Sequence, residues 1–145
     1  MISVIVASDQ PRIWAVQESI KLAVGDLDVV VVSQDRVLSS TSEAQHDIIH
    51  VAVDGVVFLP KFYEAMLTTM DFEQADFVAC GMMSCMGPGK VVTPEKGNPD
   101  FSVSQMIFKK WAAKELGFPI FSVLCSRLMG EYRGALVPHV LCVRM

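Results

Sequence analysis

Three short apolar runs, each closed by polar or acidic residues, constrain this chain more than any other feature. Ile2 to Ala7 is followed by Ser8, Asp9 and Pro11, Asp28 to Val32 by Ser33 and Asp35, and Ile48 to Val53 by Asp54 and Gly55. Each run is β-branched and too short for an ordinary helix, so each predicts a buried strand. The unbroken valines of the second run lack the alternation of a half-solvated strand, which is the pattern of a parallel sheet covered on both faces. Between the first two runs, Ile13, Trp14, Ile20 and Val24 recur near helical spacing, with Asp9 as a candidate N-cap and Gly25 as a stop. That predicts a helix over Pro11 to Val24, whereas Ser33 to His46, rich in Ser and Thr, predicts a loop.

The alternation continues downstream. Phe62, Tyr63, Met66, Leu67 and Met70 predict an amphipathic helix over Lys61 to Met70, and Asp76 to Met83 predicts a fourth strand. Ser84 to Phe101 holds Gly87, Pro88, Gly89, Pro94, Gly97 and Pro99, which predicts a mobile working loop. Ile107, Phe108, Trp111, Ala112 and Leu116 predict a helix from Ser102 or Val103 to Leu116, capped by Gly117. Ile120 to Leu124 and Ala135 to Val143 complete the pattern as fifth and sixth strands. The sum is a single α/β domain over 1–145, a three-layer sandwich with a mostly parallel sheet, in which ligands bind beyond the carboxyl ends of the strands.

Composition excludes several classes of function. At 145 residues there is room for one domain and not two. A net charge of −4 supplies no general attraction to nucleic acid. No apolar run approaches the roughly 18 residues of a membrane helix. The start of the sequence carries no basic residue ahead of its short apolar run, which predicts a cytoplasmic protein. Cys80, Cys85, Cys125 and Cys142 have no metal or redox spacing and read as reduced, mostly buried thiols. His46 and His50 share a strand face about 13 Å apart, too far for one ion.

The chemistry lies in the acids that close the strands. Asp9, Asp35 and Asp54 at one sheet edge could accept hydrogen bonds from the base and ribose of a nucleotide, and one could hold a divalent cation against a diphosphate. Equally, Asp9 could cap a helix and the other two could be solvated loop residues.

Ile2-Ser-Val-Ile-Val-Ala-Ser-Asp9, Asp28-Val-Val-Val-Val-Ser-Gln-Asp35 and, above all, the run from His46 through Asp54-Gly55-Val56 to Leu59-Pro60-Lys61-Phe62 resemble the nucleotide-binding half of a family 2-type, GT-A fold glycosyltransferase. The resemblance spans 1–83 as the donor half and leaves 84–145 for a loop, a helix and closing strands. It implies that Ser8 and Asp9 lie beside the nucleoside, Asp35 near the base, and Asp54 at the position of the family's Asp-x-Asp motif. That motif binds the diphosphate through Mn or Mg, but Asp54-Gly55-Val56 keeps only one of its two carboxylates. Phe108 to Ile120 resembles the segment that follows the family's acidic pair. A gapless count places that pair at Gln105 and Met106, so the general base is missing unless Asp100 takes its place, and Asp100 equally reads as the cap of the following helix. His139, in Val137-Pro138-His139-Val140, resembles a histidine metal ligand after the last core strand. The implied activity is transfer of a sugar from a nucleotide-diphosphate sugar to an acceptor. The alternative is a catalytically inactive nucleotide-binding or protein-interaction module.

Overall fold

Strands β1 (Ile2–Ala7), β2 (Leu27–Val32) and β3 (Ile48–Val53) form where the three apolar runs predict them. The computed structural model describes residues 2–7, 27–32, 36–53, 55–85, 89–95 and 97–145. The predicted helix over Pro11 to Val24 and the candidates Ser8, Asp9, Asp35 and Asp54 lie outside those residues. β1 pairs in parallel with both neighbours, and Ala7 stands opposite Val32 on one side and Val53 on the other. All three strands therefore end level with one another.

The stretch predicted as a loop after β2 contains a short helix, α1 (Val37–Ser42). Past Gly55 comes β4 (Val56–Phe58), then α2 (Phe62–Glu73), which buries Phe62, Tyr63, Met66 and Met70 as its periodicity predicts. β5 (Phe77–Ser84) follows, and β6 (Lys90–Val92) forms inside the segment predicted as a mobile loop, pairing antiparallel with β5.

Two predicted elements are of the other type. The helix expected from Ser102 or Val103 to Leu116 is a 3-10 turn (Val103–Gln105), then β7 (Met106–Lys109), then the short helix α3 (Lys110–Glu115). β7 runs between β3 and β5, antiparallel to both, with Met106, Ile107 and Phe108 all buried. A strand covered on both faces reads as an apolar run, and so short a run does not distinguish strand from helix. The strand expected at Ile120 to Leu124 is instead the start of α4 (Phe121–Glu131), whose buried Leu124, Cys125 and Leu128 follow helical spacing. β8 (Gly134–Arg144) closes the sheet, parallel to β5.

The strand order is β2-β1-β3-β7-β5-β8-β4, with β6 also on β5. The sheet is mixed rather than mostly parallel, because β7, β4 and β6 all run against their neighbours. It is also curled. β3 and β4 stand four strand spacings apart in that order, which in a flat sheet would separate them by about 19 Å. The connection from Val53 to Val56 spans at most about 11 Å. The sheet must therefore fold over itself, and it does so at β8, whose pairing with β5 is irregular on either side of Gly81. β4 thereby lies over one face, with the Phe58 ring 4.7 Å from the ring of His50 on β3.

Helices cover both faces. Inside the curl, α2 packs with Val4, Val6, Phe58, Val78 and Cys142, while on the other face α3 and α4 cover Ile5, Ile49, Val51, Met106 and Phe108. Three of the four thiols, Cys80, Cys125 and Cys142, are buried and Cys85 is exposed, as the absence of metal or redox spacing predicts.

Candidate carboxyl-edge site

Because β7 opposes both β3 and β5, those two strands point the same way, and β8 follows β5. Five strands, β1, β2, β3, β5 and β8, thus finish on one edge, at Ala7, Val32, Val53, Ser84 and Arg144. The chain enters β4, β6 and β7 from that same edge. In sequence, Ser8 and Asp9 follow the first of these ends, Asp35 the second and Asp54 the third. All four lie outside the described residues, so the geometry of this edge comes from its other members.

Asp100 is one of them. Its carboxylate forms an ion pair with Lys90 at the start of β6, its backbone N–H donates to Asn98 Oδ1 at 3.0 Å, and its carbonyl accepts from Arg144 Nη2 at 3.2 Å. The hydrogen bond and charge of Lys90 hold the Asp100 carboxyl below its ordinary range. At neutral pH Asp100 is therefore a carboxylate with its strongest partner already in place. Around it, Met145 N–H donates to Gly55 O at 2.8 Å and Cys85 N–H to Arg144 O at 2.9 Å, which draws the ends of β3, β5 and β8 together.

The segment after Asp100 is fixed from below by buried polar groups. Ser104, fully buried, accepts from Val53 N–H at 2.9 Å and donates to Val51 O at 3.1 Å. His50 Nε2 lies 2.9 Å from the Ser104 carbonyl, and its Nδ1 lies 2.7 Å from the Tyr63 hydroxyl. Since a carbonyl only accepts, Nε2 carries the proton and Tyr63 donates to Nδ1. Desolvation lowers the His50 pKa from 6.5 to about 4, so the ring is neutral at pH 7. Gln105 completes the anchor, with its amide donating to Cys80 O at 2.9 Å and Val92 O at 3.1 Å and its oxygen accepting from Ser102 N–H at 2.9 Å. Gln105 and Met106, where the gapless count puts the acidic pair, are thus fully buried, Gln105 at the end of the 3-10 turn and Met106 at the start of β7.

His139 stands apart from this edge. It is exposed on β8 beside the irregularity at Gly81, and its neighbour Val140 pairs with Gly81, three β5 positions before the Ser84–Arg144 pair, or roughly 10 Å along the sheet. There it borders a groove of about 390 Å³ between α2 and β8 with Lys61, Glu64 and Thr68. Asp54, the other residue of the expected metal site, lies outside the described residues. No group of three or more His, Cys, Asp or Glu able to hold a cation occurs among the described residues.

A second cavity, about 380 Å³, opens beside the loop that carries Asp100. Glu95, Asn98 and Phe101 line it from the loop, and Phe121, Ser122 and Met129 from α4. The residues that sequence reasoning passed over are Ser104 and Arg144, together with the buried role of His50. Only His50 carried a signal, as an imidazole in an otherwise apolar strand.

The fold is GT-A-like. No protein-family profile matches the sequence, and no curated protein matches it. Among solved structures the chain is similar to TarS of S. aureus. Against residues 1–349 of TarS the TM-score is 0.73 at 10% identity, covering 99% of this chain and 60% of that one. Against the same fragment in complex with UDP it is 0.72 at 12% identity, covering 98% and 59%, and with UDP-GlcNAc 0.66 at 10% identity, covering 98% and 57%. The chain thus spans less than two thirds of the TarS fragment, and at this identity the likeness is one of fold. No helix among the described residues is long and apolar enough to cross a membrane.

Proposed function

We propose that this chain is a GT-A-like sugar-nucleotide transferase domain whose carboxyl edge takes a nucleotide-diphosphate sugar. The observation that carries the reading is the convergence of five strand ends on one edge, in a fold shared with TarS, which is solved in complex with UDP and with UDP-GlcNAc. Ligands of α/β sheets bind beyond the carboxyl ends of their strands. In this reading Ser8 and Asp9 meet the nucleoside, Asp35 the base, Asp54 the diphosphate, and Asp100 takes the proton of the acceptor hydroxyl. A divalent cation, Mn or Mg, would be held against the diphosphate by Asp54, with His139 as its further candidate ligand.

The test is a thermal-shift and calorimetric screen of UDP, GDP and their sugars, each with Mn²⁺ and with EDTA, on wild type and Asp54→Ala. A ligand at 100 times its Kd stabilises the native state by about 2.7 kcal/mol. At least one nucleotide should raise Tm by several degrees, and Asp54→Ala should lower that gain. No shift with any nucleotide overturns the reading.

A binding module without transfer is favoured by one observation, the engagement of Asp100 by Lys90. Release of free sugar from a bound donor separates the two. Binding without release, with or without candidate acceptors, selects the module.

A further inference from the structure

Lys90, Ser84, Arg144 and Val56 stand in one row across β6, β5, β8 and β4. Lys90 is opposite Ser84, Ser84 opposite Arg144, and Arg144 opposite Val56. Directly paired residues present their side chains to the same face. The two cations of the row are therefore two strands apart, about 10 Å between Cα atoms, on one face of the sheet. Both already reach oxygens of a single residue, Lys90 the carboxylate of Asp100 and Arg144 its carbonyl. The row ends beside Gly55, whose carbonyl accepts from Met145 N–H, and Gly55 directly follows Asp54 in the chain.

We infer that Lys90 and Arg144 form a diphosphate clamp, in which the oxygens of Asp100 hold the place that phosphate oxygens take when a nucleoside diphosphate binds. The inference rests on the donor-site reading above and adds to it the groups that neutralise the diphosphate. An ammonium and a guanidinium with spare donors suit that task. Aimed at the oxygen on which negative charge develops as the sugar departs, they also stabilise the leaving group. Transfer of Lys90 from Asp100 to phosphate removes the contact that keeps the Asp100 carboxyl acidic. Donor binding thereby makes Asp100 the stronger base, and Lys90 links donor occupancy to acceptor activation.

The experiment is calorimetric titration of UDP in EDTA, with uridine followed by NMR chemical shifts, on wild type, Lys90→Met, Arg144→Met and the remote control Arg127→Met. Wild type should bind UDP without metal. Each clamp variant should weaken UDP about tenfold while leaving uridine and the control unchanged. Arg144→Lys, which keeps the charge, should retain most of the affinity and guards against misfolding of the methionine variant. Equal UDP affinity in wild type and both clamp variants overturns the clamp and leaves the donor site standing, as does UDP binding that disappears in EDTA. Absence of any binding of UDP or uridine by wild type, with or without Mn²⁺, overturns both.

Discussion

At the scale of single residues the most consequential group is His50. Its ring is fully buried among Phe58, Phe62 and Tyr63, with both nitrogens satisfied in the neutral form. An unfolded histidine titrates near 6.5, whereas the folded one titrates at about 4. Below pH 6.5 the unfolded chain therefore binds a proton that the folded chain refuses. This share of stability is complete above pH 6.5 and is lost as the pH falls toward 4. By linkage the loss is roughly 3 kcal/mol. Urea denaturation at half-unit steps from pH 7.5 to 4 measures it. Tyr63→Phe should cost about 1–2 kcal/mol at pH 7 by leaving Nδ1 unpaired. It should also flatten the pH dependence, because the lost hydroxyl donates to the neutral ring. An unchanged pH profile in that variant would refute the assigned tautomer.

At the scale of elements, β8 begins with a glycine for a reason of space. A Cβ on Gly134 would stand 2.0 Å from Cζ of Phe77, its partner on β5, and that ring is buried against the α4 face. Gly134→Ala must displace the ring and should cost about 1–3 kcal/mol, as overpacking does. Phe77→Leu in the same chain should recover part of that loss, and a double-mutant cycle in urea reads the coupling. Legibility at this scale follows burial geometry. β1, β3 and α2 were readable because a covered parallel strand gives an apolar run and a one-sided helix gives a periodic stripe. β7 was not, because Met106, Ile107 and Phe108 satisfy both patterns in so short a stretch. In α4 the buried positions Leu124, Cys125 and Leu128 do repeat as a helix, but the leading Ile120 and Phe121 mimic a strand entry. For the site, chain order placed Asp9, Asp35 and Asp54 after three strands, whereas the row joining Lys90 to Arg144 depends on the pairing of Ser84 with Arg144, far apart in the chain. No local pattern encodes that separation.

At the scale of the whole molecule the controlling feature is the curl that brings β4 over the face of β3. It depends on the last residues of β8. Val56, Val57 and Phe58 pair with Arg144, Val143 and Cys142, and Leu59 N–H donates to Leu141 O at 2.9 Å. Among the described strands β4 pairs with no other. The same residues bury Leu141 and Cys142 inside the curl and close the row that holds Arg144. A chain ending at Val140 should therefore lose both the apolar burial and every ladder bond of β4. Emptying two core positions costs several kcal/mol, a large part of the 5–15 kcal/mol of a typical domain. Such a chain should melt tens of degrees lower or show no cooperative transition by near-ultraviolet circular dichroism. Removal of Met145 alone, which is half-exposed and contributes one N–H to Gly55, should cost about 1 kcal/mol. If the shorter chain kept the transition of the intact one, β4 would be held by α2 and the core beneath it rather than by β8. The clamp row would then be a consequence of the curl and not part of what maintains it.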